Sequence, residues 1–61
     1  MSQLNKLELQ HLRHLIGAHE TAYQKMSAYA QQCTDPQIRA YFEKSAQCAQ
    51  RTKQQLMSFL G

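Results

Sequence analysis

Apolar residues recur along this chain in steps of three and four, which is the spacing of one face of an α-helix. Polar and charged residues fill most of the remaining positions, so each half of the chain predicts one amphipathic helix. The apolar stripe of the first half consists of Leu12, Leu15, Ile16, His19, Ala22, Tyr23, Met26, Tyr29, Ala30 and Cys33. The stripe of the second half consists of Ile38, Tyr41, Phe42, Ser45, Ala49, Thr52, Leu56, Phe59 and Leu60.

The helix boundaries follow from capping signals at two places. Asn5 followed by Glu8 is a capping pattern, in which each side chain can satisfy a free backbone N–H of the first turn. Asp35 is a favourable N-cap, and Pro36 suits the first helical position because it has no N–H to leave unpaired. We therefore predict an all-α hairpin in one domain, residues 1–61. Helix 1 spans about 5–32, a turn 33–35, and an antiparallel helix 2 about 36–59.

Both stripes are wider than a hairpin needs, because a single neighbouring helix covers only a narrow seam. Each stripe spans more than about 100° of its helix, so part of it must face another molecule. We predict that two hairpins form a homodimeric four-helix bundle of ferritin-like arrangement. Docking on a larger partner, or another oligomer, is the alternative. The predicted core and dimer-interface residues are Leu12, Ile16, His19, Tyr23, Met26, Ile38, Phe42, Ala49, Leu56 and Phe59.

Composition and charge exclude several classes of function. The chain has 61 residues with ten Gln, no Trp and only two Gly, which favours helix. Its formal net charge of +3 comes from evenly spread cations, so we expect no nucleic-acid partner. No apolar run is long enough to cross a membrane, and no secretion signal is recognisable, so we expect cytoplasmic synthesis and no membrane partner. No catalytic triad, phosphate loop or carboxylate pair is present, which predicts a protein that is not an enzyme.

Metal binding is the sharpest chemical alternative. Glu8 and His11 form a Glu-x-x-His pair, the arrangement that carboxylate di-iron bundles use. His19 lies near the middle of the first stripe, where a polar side chain needs a hydrogen-bond partner. The remaining carboxylates point away from the stripes, so no buried di-metal centre assembles. We predict no cofactor and no metal, and keep a metal-binding or redox protein that uses Glu8, His11 and His19 as the alternative.

His19 is expected to be a core histidine that bonds to a tyrosine, Ser45, Thr52 or its symmetry mate. If two copies of His19 meet at a dimer axis, the dimer should loosen below about pH 6, because imidazole titrates near 6.5. Cys33 and Cys48 are too far apart along the hairpin to form a disulfide, at about 18 Å. Both are expected to be buried free thiols, although the two copies of Cys48 could approach each other in an antiparallel dimer.

Three segments together resemble the spore coat protein F-like family of endospore-forming Firmicutes. They are Leu12–Glu20 (LRHLIGAHE), Cys33–Arg39 (CTDPQIR) and Gln54–Leu60 (QQLMSFL). The resemblance covers the chain from about Leu9 to Leu60, and it implies a small helical protein grouped with ferritin-like folds. It also implies a structural role in the spore or spore coat with other spore coat proteins as partners, and it supplies no catalytic residues.

Overall fold

The computed structural model describes residues 4–60 and contains two α-helices. Helix α1 runs Lys6–Gln32, helix α2 runs Pro36–Met57, and a 3₁₀ turn follows over Ser58–Leu60. The described residues contain no strand, and α1 packs against α2. The prediction of an all-α pair of packed helices is confirmed. Helix α2 ends two residues before the predicted position, where the 3₁₀ turn replaces α-helical geometry.

Each helix begins directly after its predicted capping residue, Asn5 or Asp35. The Asn5 Oδ1 atom accepts a hydrogen bond of 2.7 Å from the Glu8 N–H, and the Asn5 N–H donates to Glu8 Oε1 over 3.1 Å. At α2, Asp35 Oδ1 accepts from the N–H groups of Gln37 and Ile38. These side chains satisfy donors that the first turn of a helix leaves without an intrahelical partner.

A three-residue connection, 33–35, reverses the chain between the helices. The Cys33 N–H still donates to the carbonyl of Tyr29 over 3.0 Å, so the α1 bonding pattern continues to the turn. From α2, Arg39 Nη2 donates back to the Cys33 carbonyl oxygen over 2.9 Å. A connection this short leaves the two helices antiparallel neighbours.

Two side-chain contacts fix the register of α1 against α2. Near the turn, the rings of Tyr29 and Phe42 lie 5.5 Å apart between centroids. Further along, Lys53 Nζ donates to Glu20 Oε1 over 2.7 Å. The residue numbers add to 71 in the first pair (29 + 42) and 73 in the second (20 + 53). Each residue of α1 therefore lies beside the residue of α2 whose number, added to its own, gives about 72.

The hairpin has very little core. Among the described residues, the only buried apolar side chains are Leu12, Ala30 and Ala46, and no large side chain is fully buried. The molecule measures 46 × 16 × 11 Å, with a radius of gyration of 14.3 Å. A compact chain of this length has a radius of gyration of about 10.5 Å. The hairpin is a thin rod whose large apolar side chains remain mostly outside.

Candidate functional site

One long side of the hairpin is polar. A groove of about 670 Å³ runs between the helices there. We call it the polar groove, and around Ala30 and Ala46 it is lined by Tyr23, Ser27, Gln31, Arg39, Glu43, Gln47 and Gln50. These lining residues show which flank of α1 and which flank of α2 border the polar groove. The opposite flanks, about half a turn away at 100° per residue, must share the other side of the hairpin.

That other side is apolar. We call it the apolar face, and it consists of Leu15, Ala22 and Tyr29 of α1, Ile38, Tyr41 and Ser45 of α2, and Phe59 of the 3₁₀ turn. Its large side chains are widely exposed: Leu15 46%, Tyr29 46%, Ile38 50%, Tyr41 68% and Phe59 53%. Tyr41 also stacks edge-on against Phe42, with centroids 5.9 Å apart, so it extends the aromatic contact of Tyr29 outward. Five of the eight large apolar side chains that are exposed in the described residues lie on this one face.

The apolar face carries no charged side chain. No Asp, Glu, Lys or Arg lies on this side between Leu15 and Tyr29 of α1, or between Ile38 of α2 and Phe59 of the 3₁₀ turn. Depletion of charge combined with aromatic side chains is typical of the buried centre of a protein–protein interface. The fold and this face together define the class of the molecule, a helical hairpin with one unpartnered apolar face.

The four carboxylates have other positions. Glu8 and Asp35 cap the two helices, and Glu43 lines the polar groove. Glu20 accepts hydrogen bonds from the Lys53 ammonium and the Gln24 amide. Those two hydrogen bonds, the one from Lys53 foremost, lower the pKa of Glu20 below its ordinary value of 4.5.

The proposed metal ligands do not come together. Glu8 Oε1 is engaged by the Asn5 N–H, and His11 is exposed. The His19 Nδ1 atom lies 2.9 Å from the Leu15 carbonyl oxygen, to which it can only donate. Across residues 4–60, no three His, Cys, Asp or Glu side chains converge in a way that could hold a metal ion.

His19 is half-buried, and the structure gives it a partner that the sequence did not suggest. The bond goes one turn back along α1 to Leu15, instead of across to a tyrosine, Ser45 or Thr52. Within a helix, a histidine side chain can reach the carbonyl four residues earlier. The sequence therefore allowed this hydrogen bond, but nothing in it favoured Leu15 over a partner on α2. The bond assigns the Nδ1–H tautomer to the neutral ring.

The predicted interface residues differ in exposure. Leu12 is buried at the seam between the helices, whereas Ile38 and Phe59 are exposed. The other members are half-buried: Ile16, His19, Tyr23, Met26, Phe42, Ala49 and Leu56. Tyr23 lines the polar groove, so it lies on the side opposite to the apolar face.

Sequence reasoning did not anticipate the Glu20–Lys53 ion pair. It predicted that the sister helix leaves part of each stripe uncovered, but not that Leu15, Tyr29 and Tyr41 belong to that part. The expectation that both cysteines are buried is wrong, because Cys33 is half-buried and Cys48 is exposed; both are free thiols. Neither helix in the described part of the chain is long and apolar enough to span a membrane.

Comparisons with protein-family models, with curated protein sequences and with solved structures find no match to this chain.

Proposed function

We propose that this chain is a non-enzymatic structural protein that acts by self-association of its apolar face. Two hairpins bury their apolar faces against each other and form a four-helix bundle. The observation that carries this proposal is the group of five large, widely exposed apolar side chains on a face without charge. Water contact at these side chains is unfavourable, and a second copy removes it.

The surface area of the chain supports a partner of this size. The chain exposes 5008 Å², whereas a compact monomer of 7.1 kDa exposes about 4100 Å². The excess of about 900 Å² is close to the roughly 800 Å² that each partner buries in a standard interface. A second hairpin also offers an identical face 46 Å long, so the two surfaces match in extent.

The biological setting that we propose is the bacterial spore. The support is the resemblance of segments Leu12–Glu20, Cys33–Arg39 and Gln54–Leu60 to the spore coat protein F-like family. In this proposal the protein is made in the cytoplasm, and its dimers join other spore coat proteins in the spore or its coat. The polar groove and its Gln side chains stay on the outside of the bundle, where they can donate and accept hydrogen bonds with neighbouring proteins.

Sedimentation equilibrium of the purified chain tests self-association. The wild type should have twice the monomer mass of 7.1 kDa. The informative variant is Leu15→Glu, because Leu15 is exposed on the apolar face and has no Lys or Arg three or four residues away along its helix. Burying that charge without a partner should raise the dissociation constant at least about 100-fold. The matched control is Gln31→Glu, which adds the same charge to the same helix within the polar groove and should change the constant less than about twofold.

A wild type that stays monomeric while fully helical by circular dichroism would overturn the proposal. So would equal weakening by Leu15→Glu and Gln31→Glu, because the apolar face would then have no special role. Native mass spectrometry after incubation with ferrous, manganous and zinc ions adds a test of the metal-binding alternative. Two metal ions per dimer that disappear in Glu8→Ala would make this a metalloprotein instead.

A further inference from the structure

Cations border the apolar face on both of its long edges. At 100° per residue, Lys25 lies on the outer edge in α1, and Lys44 and Arg51 lie on the outer edge in α2. All three side chains are exposed. None of them has an Asp or Glu three or four residues away along its helix, and none forms an ion pair with a described residue. We call these three residues the cationic edges.

No carboxylate of the described chain is available to neutralise the cationic edges. Two carboxylates cap the helices, one binds Lys53, and Glu43 lies in the polar groove on the other side. This excess of cations matters because charges that border an interface are normally arranged to meet opposite charges. A second copy of this chain brings the same edges, and therefore only further cations.

Like charges meet in either two-fold arrangement that buries the apolar face. In the register of the hairpin, Lys25 lies beside residue 47, between Lys44 and Arg51 and about 5 Å along the axis from each. If the turn of the second copy lies over this turn, α1 faces the second α2, and Lys25 meets a second Lys44 and Arg51. If the turns lie at opposite ends, α1 faces the second α1 and α2 faces the second α2. Each cationic edge then lies against the same edge of the second copy.

We infer that two copies together form binding sites for multivalent oxyanions, such as phosphate groups, along the cationic edges. This inference rests on the proposed dimer, because a single chain supplies only half of each site. Lys and Arg side chains are the usual protein groups that bind phosphate. An anion with two or more charges can lie between cations of both copies and turn their repulsion into attraction. A monovalent anion screens the repulsion without linking the copies.

Inorganic pyrophosphate is the probe, and the dissociation constant of the dimer is the measurement. Sedimentation equilibrium at pH 8 compares pyrophosphate with chloride at one ionic strength of about 20 mM, where charges interact over about 20 Å. We expect pyrophosphate to tighten the wild-type dimer about tenfold relative to chloride. The variant Lys25→Gln/Lys44→Gln should dimerise more tightly than wild type in chloride and should lose the response to pyrophosphate.

The matched control is Lys6→Gln/Arg13→Gln, which removes two exposed cations that lie on the α1 flank bordering the polar groove. It should keep the full response to pyrophosphate. Equal dissociation constants in pyrophosphate and chloride, with a dimer in both, would overturn this inference and leave the proposed function standing. A response that survives in Lys25→Gln/Lys44→Gln would also overturn it. A wild type that is monomeric in both salts would overturn the proposed function itself.

Discussion

Gly17 offers a direct test of how the outer surface of α1 is used. It lies in the middle of a 27-residue helix and is exposed. A Cβ atom added at this position meets no other atom within 4 Å, and the backbone there is helical. Position 17 is directed away from both α2 and the apolar face, so the proposed bundle also leaves it free. Substitution of Gly17 by Ala should therefore act through helix propensity alone.

The expected gain is about 1 kcal/mol per chain, because Ala restricts the unfolded backbone more than Gly does and favours helix. The entropy of unfolding is about 2.1 cal/mol/K per residue, or roughly 130 cal/mol/K for the whole chain. The ratio of the two predicts a rise in Tm of about 8 °C. A dimer doubles both quantities, so the predicted rise does not depend on the oligomeric state.

Thermal unfolding followed by circular dichroism measures this shift at one protein concentration. The matched control is Ala28→Gly, on the exposed outer side of the same helix, which should lower Tm by a similar amount. The double variant Gly17→Ala/Ala28→Gly should melt close to wild type, since the two positions are distant and independent. A lower Tm for Gly17→Ala would refute the reasoning, because it would mean that another molecule packs closely on Gly17.

Two further predictions concern polar contacts. Because the pKa of Glu20 is lowered in the folded chain, its contribution to stability is present above pH 4.5 and is lost as pH falls through the lowered pKa. Urea unfolding should therefore separate wild type from Glu20→Gln near pH 7 and show equal stability in strong acid. A pH-independent difference would contradict this, and Lys53→Met should weaken the same pH dependence, because the Lys53 hydrogen bond is the larger of the two that lower this pKa. At the second helix start, Asp35→Ala should cost about 1 kcal/mol and Asp35→Asn much less, as measured by the same unfolding experiment.

Local features of this fold could be predicted from the sequence because their partners lie within a few residues. Asn5 and Glu8 are three positions apart, and Asp35 reaches the N–H groups of the next turn. The helix starts and the turn therefore depend only on nearby residues and on the preference of Pro36 for the first helical position. The amphipathic stripes likewise predict that the two helices pack against each other.

Contacts between the helices could not be predicted, because they depend on the register of α1 against α2. Glu20 and Lys53 are 33 residues apart in the chain, and neither belongs to the apolar stripe of its helix. Their contact requires a particular rotation of both helices that periodicity alone does not define. The same rotation decides that Tyr23 borders the polar groove and that Tyr29 belongs to the apolar face.

The small residues at the seam explain why so much apolar surface remains outside. Ala30 and Ala46 are each only 4% exposed, so these short side chains occupy positions where a larger hairpin core would hold Leu or Phe. The larger side chains of Tyr29, Tyr41 and Phe59 are displaced to one side of the seam. With a core this small, the hairpin alone has little to offset the conformational entropy of ordering its chain. The isolated hairpin leaves this apolar surface in contact with water, so the surface does not stabilise the single chain. In the proposed bundle a second copy buries it, and folding and association become one process.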